Sequence, residues 1–232
     1  MRIDNKLNLV IPIYGSEVAK TDADGKAVLA DGKPVKIQPV IAYVHSTPLP
    51  AETVEKHFLI LGQTFSAIFN QGLGAAAGPG MAMRLMKRIA QRTGEWEGDD
   101  GVERGVIEEM RRCTMVIVPG PSGWTPIPLQ VAVDRKVIDD EDRMEVENAI
   151  VFFISVSGTL FRAERKTMLQ SACDLWSAQI SSLSASAFAA SLPKSKGTGN
   201  SGETSLAPVM PASPAVSGAN AMRDGKPASV PH

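Results

Sequence analysis

Apolar residues recur at three- and four-residue steps over 51–70, where Val54, Phe58, Leu61, Phe65 and Phe69 form one stripe. Polar residues, Glu52, Glu55, Lys56, Gln63 and Asn70, fall mostly off it. The spacing predicts a helix that starts after Pro50, whose missing N–H costs nothing in a first turn. Gly72, Gly74, Gly78 and Gly80, with Pro79, are expected to stop that helix in a flexible loop of small residues that lets helices approach. A second helix follows over 81–92, with Met83, Leu85, Met86 and Ile89 apolar. A third is expected over 102–113, where Val102, Val106, Ile107 and Met110 face one way. After a short apolar run at 115–118, closed by Pro119-Gly120-Pro121, a short helix is expected over 129–135.

The longest helix is placed at 141–162. Asp139, Asp140, Glu141 and Asp142 open it, where negative charge suits the helix dipole. Its middle, AIVFFISVSGTLF, is apolar on nearly every side, as a central core helix requires. Gly158 lowers its propensity and allows a close crossing. A last amphipathic helix covers 164–180, with Met168, Leu169, Ala172, Leu175 and Trp176 apolar, and its continuation to residue 192 is left open.

Before residue 51 the pattern changes to β. The stretch KLNLVIPI at 6–13 and KIQPVIAYVH at 36–45 read as strands, and Pro39 makes the second an edge strand or a late starter. Asp24-Gly25 and Asp31-Gly32 suit tight hairpin turns, with a short strand over 27–29 between them. Beyond residue 192 the chain is rich in Pro, Gly, Ser and Ala and is expected to be disordered. The fold class expected is therefore mainly α. A small N-terminal β-hairpin or meander (1–50) precedes a multi-helix domain (51–192), and a disordered C-terminal tail (193–232) follows.

Composition narrows the function. An apolar content of 44% over 232 residues is enough for a packed core. Lys and Arg total 24 against 25 Asp and Glu, which argues against a general nucleic-acid binder. The longest uncharged apolar run is too short to span a bilayer, which takes about 20 residues. The N-terminus lacks the apolar region of a signal peptide, so a soluble, intracellular protein is expected. Cys113 and Cys173 lie far apart and are read as buried free thiols.

The candidate chemistry is thin. Gly72-Leu-Gly74-Ala-Ala-Ala-Gly78 invites a nucleotide-loop reading, but the spacing is one residue off and a helix precedes it. The acidic run at 139–142 could ligate a hard cation, yet a solvated helix opening explains it better. Asp22-Ala-Asp24-Gly25 lacks the glutamate that closes a calcium loop. His45 and His57 have no nucleophile at a telling spacing and are read as surface or interface residues. Trp96 and Trp124, in Gly/Pro-rich loops, either plug the core or anchor a partner. Met81, Met83 and Met86 are read as core, with an adaptable binding surface as the alternative. No catalytic, cofactor-binding or metal-ligating residue is assigned, and no enzymatic activity is expected.

Several phrases carry a resemblance. They are VHSTPLP with ETVEKHFLILGQTFSAIFNQGLGAAAGP, then RTGEWEGDDGVERGVIEEMRRCTMVIVPGPSGWTPIPLQVAVDRKVIDDEDRMEVENAIVFF, and FAASLPKS. In these blocks, from about residue 9 to 195, the chain resembles the tail assembly chaperones of long-tailed bacteriophages and prophages. The resemblance implies a non-enzymatic protein of the host cytoplasm that binds and solubilises the tape-measure protein. It also implies recruitment of tail-tube subunits and absence from the mature virion. Residues 22–36 look like an elaboration outside that pattern. The alternative is a structural virion tail protein, such as a tail completion or tube-associated subunit. Homo-oligomerisation is left open.

Overall fold

The computed structural model describes residues 7–20, 26–31, 33–160 and 162–193. The expected tail, apart from Pro193, and the turns at Asp24-Gly25 and Gly32 lie outside these residues. The chain runs β1 (Asn8–Tyr14), β2 (Val18–Ala19), β3 (Leu29–Ala30), β4 (Lys33–Pro34), β5 (Lys36–Ile37), β6 (Val40–Ser46), α1 (Ala51–Lys56), α2 (Phe58–Asn70) and α3 (Gly74–Thr93). A π-helical segment (Glu103–Glu108) then leads into α4 (Glu109–Arg112), β7 (Thr114–Gly120), β8 (Gly123–Pro128), α5 (Leu129–Asp134), α6 (Asp140–Thr159), α7 (Arg162–Leu175), β9 (Gln179–Ser181) and α8 (Ala185–Ser191).

The fold is mixed α/β, which corrects the mainly-α expectation. Five strands form an antiparallel sheet in the order β8-β7-β6-β1-β9. The two N-terminal strands are not a peripheral hairpin: they occupy the interior of this sheet, and strands from far along the chain pair on both sides of them. Residues before and after position 50 thus share one sheet and one apolar core.

Prolines hide several of these strands in the sequence. The run at 115–118 is part of β7, and Trp124 lies on β8 rather than in a loop. A proline cannot donate to a ladder, so it needs a side that no neighbour uses. Pro126 and Pro128 lie on the edge strand β8, and β6 pairs with β7 only as far as Ile117, short of Pro119. Pro12 in β1 lies past Val10, where pairing with β9 ends. The expected late start of the second strand is observed, with β6 beginning directly after Pro39. The final helix ends at Leu175 instead of running on, and β9 and α8 follow it.

Strand alternation divides the sheet between two apolar clusters. Leu9, Ile11, Ile13, Ala42, Val44 and Val116 face the large core beneath the helices. Val10, Tyr43, Ile117 and Trp124 point the other way and meet α8. In the helical layer α6 packs against α2, α3, α7 and β1. Every residue from Val146 to Gly158 on α6 is buried, as the all-round apolar pattern requires. Asp139 and Asp142 form a reciprocal capping box at its start, satisfying amide groups that would otherwise lack partners.

The stripe on the first helix is turned from the expected one. A break at His57 separates α1 from α2, and the face turned inward carries Val54, His57, Leu61, Thr64 and Ile68. Phe58 is 47% exposed, and Phe65 and Phe69 are half-buried. Both stripes have helical period and share Val54 and Leu61, so periodicity alone does not separate them. Space does. A Cβ on Gly78 of α3 would lie 2.8 Å from Ile68 Cγ2 and from Phe152 Cε2. A Cβ on Gly158 would lie 3.2 Å from Val54 and 3.5 Å from Leu61. The helices approach too closely there for phenylalanine. Thr64 fits, its hydroxyl donating to the Ile60 carbonyl at 2.8 Å. The glycine segment is accordingly a turn only around Gly72, with φ of 71°, and α3 opens at Gly74, with φ of 53°, and already contains Gly78 and Pro79.

Candidate functional site

The outer side of α2 turns large apolar residues away from the helical core. Phe58 and Leu59 are 47% and 71% exposed. Phe58, Phe65 and Phe69 follow at helical steps, and the last two rings lie 4.6 Å apart. Gly62 sits between Phe58 and Phe65, and a Cβ added there would meet nothing within 4 Å, so the backbone of α2 is open to approach at that point. The result is an aromatic strip interrupted by a bare notch.

A second aromatic group sits on the sheet face turned away from the helical layer. Tyr43, Trp124 and Phe188 come from β6, β8 and α8. The Tyr43 ring meets Trp124 edge-on at 5.5 Å and Phe188 at 5.6 Å. The indole N–H of Trp124 donates to the Pro193 carbonyl at 2.8 Å. Sequence reasoning missed this group because its members are 81 and 64 residues apart (124 − 43 and 188 − 124). The available signal was the alternation of Tyr43 with Ala42 and Val44 on one strand.

The remaining candidates disperse. Trp96 is buried in the large core, with the Lys87 ammonium 5.2 Å from its ring centre. Met86 is fully buried, and Met81 and Met83 pack half-buried on the same core. His45 and His57 are both buried, where surface or interface positions were expected. His45 Nε2 lies 2.9 Å from the Leu183 carbonyl, so that nitrogen is the donor. His57 packs against the π-helical segment: a Cβ on Gly105 would come within 2.1 Å of its Nε2. Burial, then the Lys56 charge, push the His57 pKa below its ordinary value.

Neither thiol is poised for nucleophilic work. Burial raises the Cys113 pKa above the ordinary thiol range and pushes Cys173 up to about 11. A thiol is a nucleophile only as its anion, so both are in the unreactive form at neutral pH. Asp139 and Asp142 serve the capping box, and burial raises the Asp142 pKa. Among the described residues no group of three or more His, Cys, Asp or Glu is placed to hold a metal ion. Asp22 and Asp24 lie outside them.

Two further features belong to the scaffold. The Arg111 guanidinium grips the buried Glu147 carboxylate with Nε at 2.7 Å and a second nitrogen at 3.3 Å, tying α4 to α6. A wholly apolar cavity of about 30 Å³ lies between β1, α3, α6 and α7, against Leu9, Phe152, Cys173 and Trp176. Ligand pockets run to roughly 300–1,000 Å³ and carry orienting polar groups, and this cavity has neither. Among the described residues no helix is long and apolar enough to cross a membrane.

Among the described residues the arrangement offers apolar contact surface. No family profile, curated protein or solved structure matches the chain.

Proposed function

We propose that this chain is a tail assembly chaperone of a long-tailed bacteriophage or prophage. It binds helical, apolar stretches of the tape-measure protein in the host cytoplasm, keeps them soluble and recruits tail-tube subunits. It turns over no small molecule and leaves before the virion matures. The observation that carries this reading is the uncovered strip on α2: Phe58 and Leu59 exposed, Phe65 and Phe69 half-buried, all within the block ETVEKHFLILGQTFSAIFNQ that contributes to the resemblance. Phenylalanine and leucine at helical spacing are what a partner helix packs against. Their apolar area is costly to leave in water, about 1.5–3 kcal/mol for each side chain fully covered.

Co-expression of the tape-measure protein with and without this chain tests the proposal. Solubility and co-purification are read at low and high salt. Apolar contact persists at high salt, where exposed charge contacts are screened. The double variant Phe58→Ser/Leu59→Ser should remain folded and lose the client. A client that is equally soluble alone and never co-purifies refutes the assignment. Stoichiometric amounts of the chain in purified particles would identify a structural tail protein instead.

A further inference from the structure

We propose that the uncovered part of the sheet face turned away from the helical layer binds a proline-rich segment in the polyproline II conformation, and that its occupant is residues 208–214 of this same chain. α8 stays in place beside it. The surface is separate from the α2 strip and does not depend on the client proposed above.

This face is aromatic, and α8 covers only part of it. Trp124, Tyr43 and Tyr14 come from β8, β6 and β1, and the first two rings meet at 5.5 Å. Burial, then the neighbouring Tyr14 phenol, push the Tyr43 pKa above its ordinary value, so Tyr14 lies beside Tyr43. The main contacts of α8 are with β7 and β8, and its Phe188 ring sits against Tyr43 and His45. Away from it, Tyr14 and Ile41 are left 44% and 37% exposed. Tyrosine hydroxyls and indole N–H groups are donors, and a polyproline helix offers them carbonyls that carry no internal hydrogen bonds.

The chain itself supplies the ligand. α8 ends at Ser191, and the chain leaves this face at Pro193, whose carbonyl accepts the Trp124 indole N–H at 2.8 Å. The sequence then reaches PVMPASP at 208–214, with Pro208, Pro211 and Pro214 three residues apart. Three residues make one turn of polyproline II, so these prolines fall on one edge of it. Such segments dock in aromatic-lined grooves at low entropic cost, because proline already fixes φ. The dimensions agree. Trp124 and Tyr14 stand three strand spacings apart, roughly 14 Å. Pro208 to Pro214 covers roughly 19 Å in this conformation. Residues 194–207 bridge the interval, with a reach of up to roughly 45 Å. On so short a tether the segment has an effective concentration of about a millimolar, enough to fill a site of modest affinity.

The test uses the full chain and its variant Pro208→Ala/Pro211→Ala/Pro214→Ala. Nitration of Tyr14 by tetranitromethane, resolved by peptide mass spectrometry, reads whether the ring is covered. It should be slower in the wild type than in the variant, at a rate independent of chain concentration. A fluorescent peptide of residues 205–217 should bind the variant. It should bind the wild type roughly tenfold more weakly, the result of a site about nine-tenths filled in cis. The peptide with its three prolines changed to alanine should bind neither chain. Tyr14→Ala added to the variant should remove binding, and Ile41→Lys serves in the same way should Tyr14→Ala fail to fold. Equal nitration rates in the two chains overturn the proposal, as does a variant that does not bind the peptide. Protection of Tyr14 that rises with chain concentration also overturns it, by assigning the site to the segment of a second copy.

Discussion

Exchanging glycine for alanine at two helical positions should move stability in opposite directions. In a helix interior alanine is favoured over glycine by about 0.8–1 kcal/mol. At Gly62 on α2 a Cβ meets nothing within 4 Å, so Gly62→Ala should gain most of that amount. At Gly78 on α3 the same methyl would stand 2.8 Å from Ile68 Cγ2 and from Phe152 Cε2. Neither neighbour has slack, since Ile68 is fully buried and Phe152 is 2% exposed. Overpacking of this kind costs about 1–3 kcal/mol. The upper half of that range applies with two blocked neighbours, leaving Gly78→Ala a net loss of about 1–2 kcal/mol after the propensity gain. The two variants should differ by about 2–3 kcal/mol, or roughly 4–12 °C in Tm for a chain of this size. Urea unfolding followed by circular dichroism measures the difference, with an unchanged slope as the control for a common unfolded state. A Gly78→Ala protein as stable as Gly62→Ala would refute the claim that close approach of α2, α3 and α6 selected the buried face of α2.

Phe65→Ala should cost about 1–2 kcal/mol, below the 3–5 of a fully buried phenylalanine, because the ring is half-buried; thermal melting decides. Arg111→Ala should lose about 2 kcal/mol in urea unfolding, since it strands the Glu147 carboxylate in the core, and the partial exposure of the arginine keeps the loss below the value for a fully buried pair. His57 carries a pH dependence. Its folded pKa lies below the ordinary 6.5, so the unfolded chain binds the proton more readily. The stability it contributes is full above pH 6.5 and is lost as pH falls through the folded pKa. The slope is at most about 1.4 kcal/mol per pH unit. Unfolding midpoints of His57→Gln between pH 7 and 5 should fall less steeply than those of the wild type, and parallel curves would remove His57 from the account.

Some of this architecture is local and was legible from residues alone. The acidic opening of α6 and its all-round apolar middle specify a capped, central helix wherever it lands, because dipole, cap and burial act within one segment. The alternating run in β1 and the late start of β6 after Pro39 are likewise set by their own residues. Other features depend on partners distant in sequence. Whether 115–118 and 123–128 are strands depends on β6 being beside them, and their prolines count against a strand until the unpaired side of each is known. The stripe of α2 offered two faces of equal period, and only the approach of Gly78 and Gly158 decided which one went inside and left Phe58 and Leu59 in water. The aromatic group of Tyr43, Trp124 and Phe188 exists in no single segment: strand order and side-chain alternation bring its rings together, so it is a product of tertiary structure.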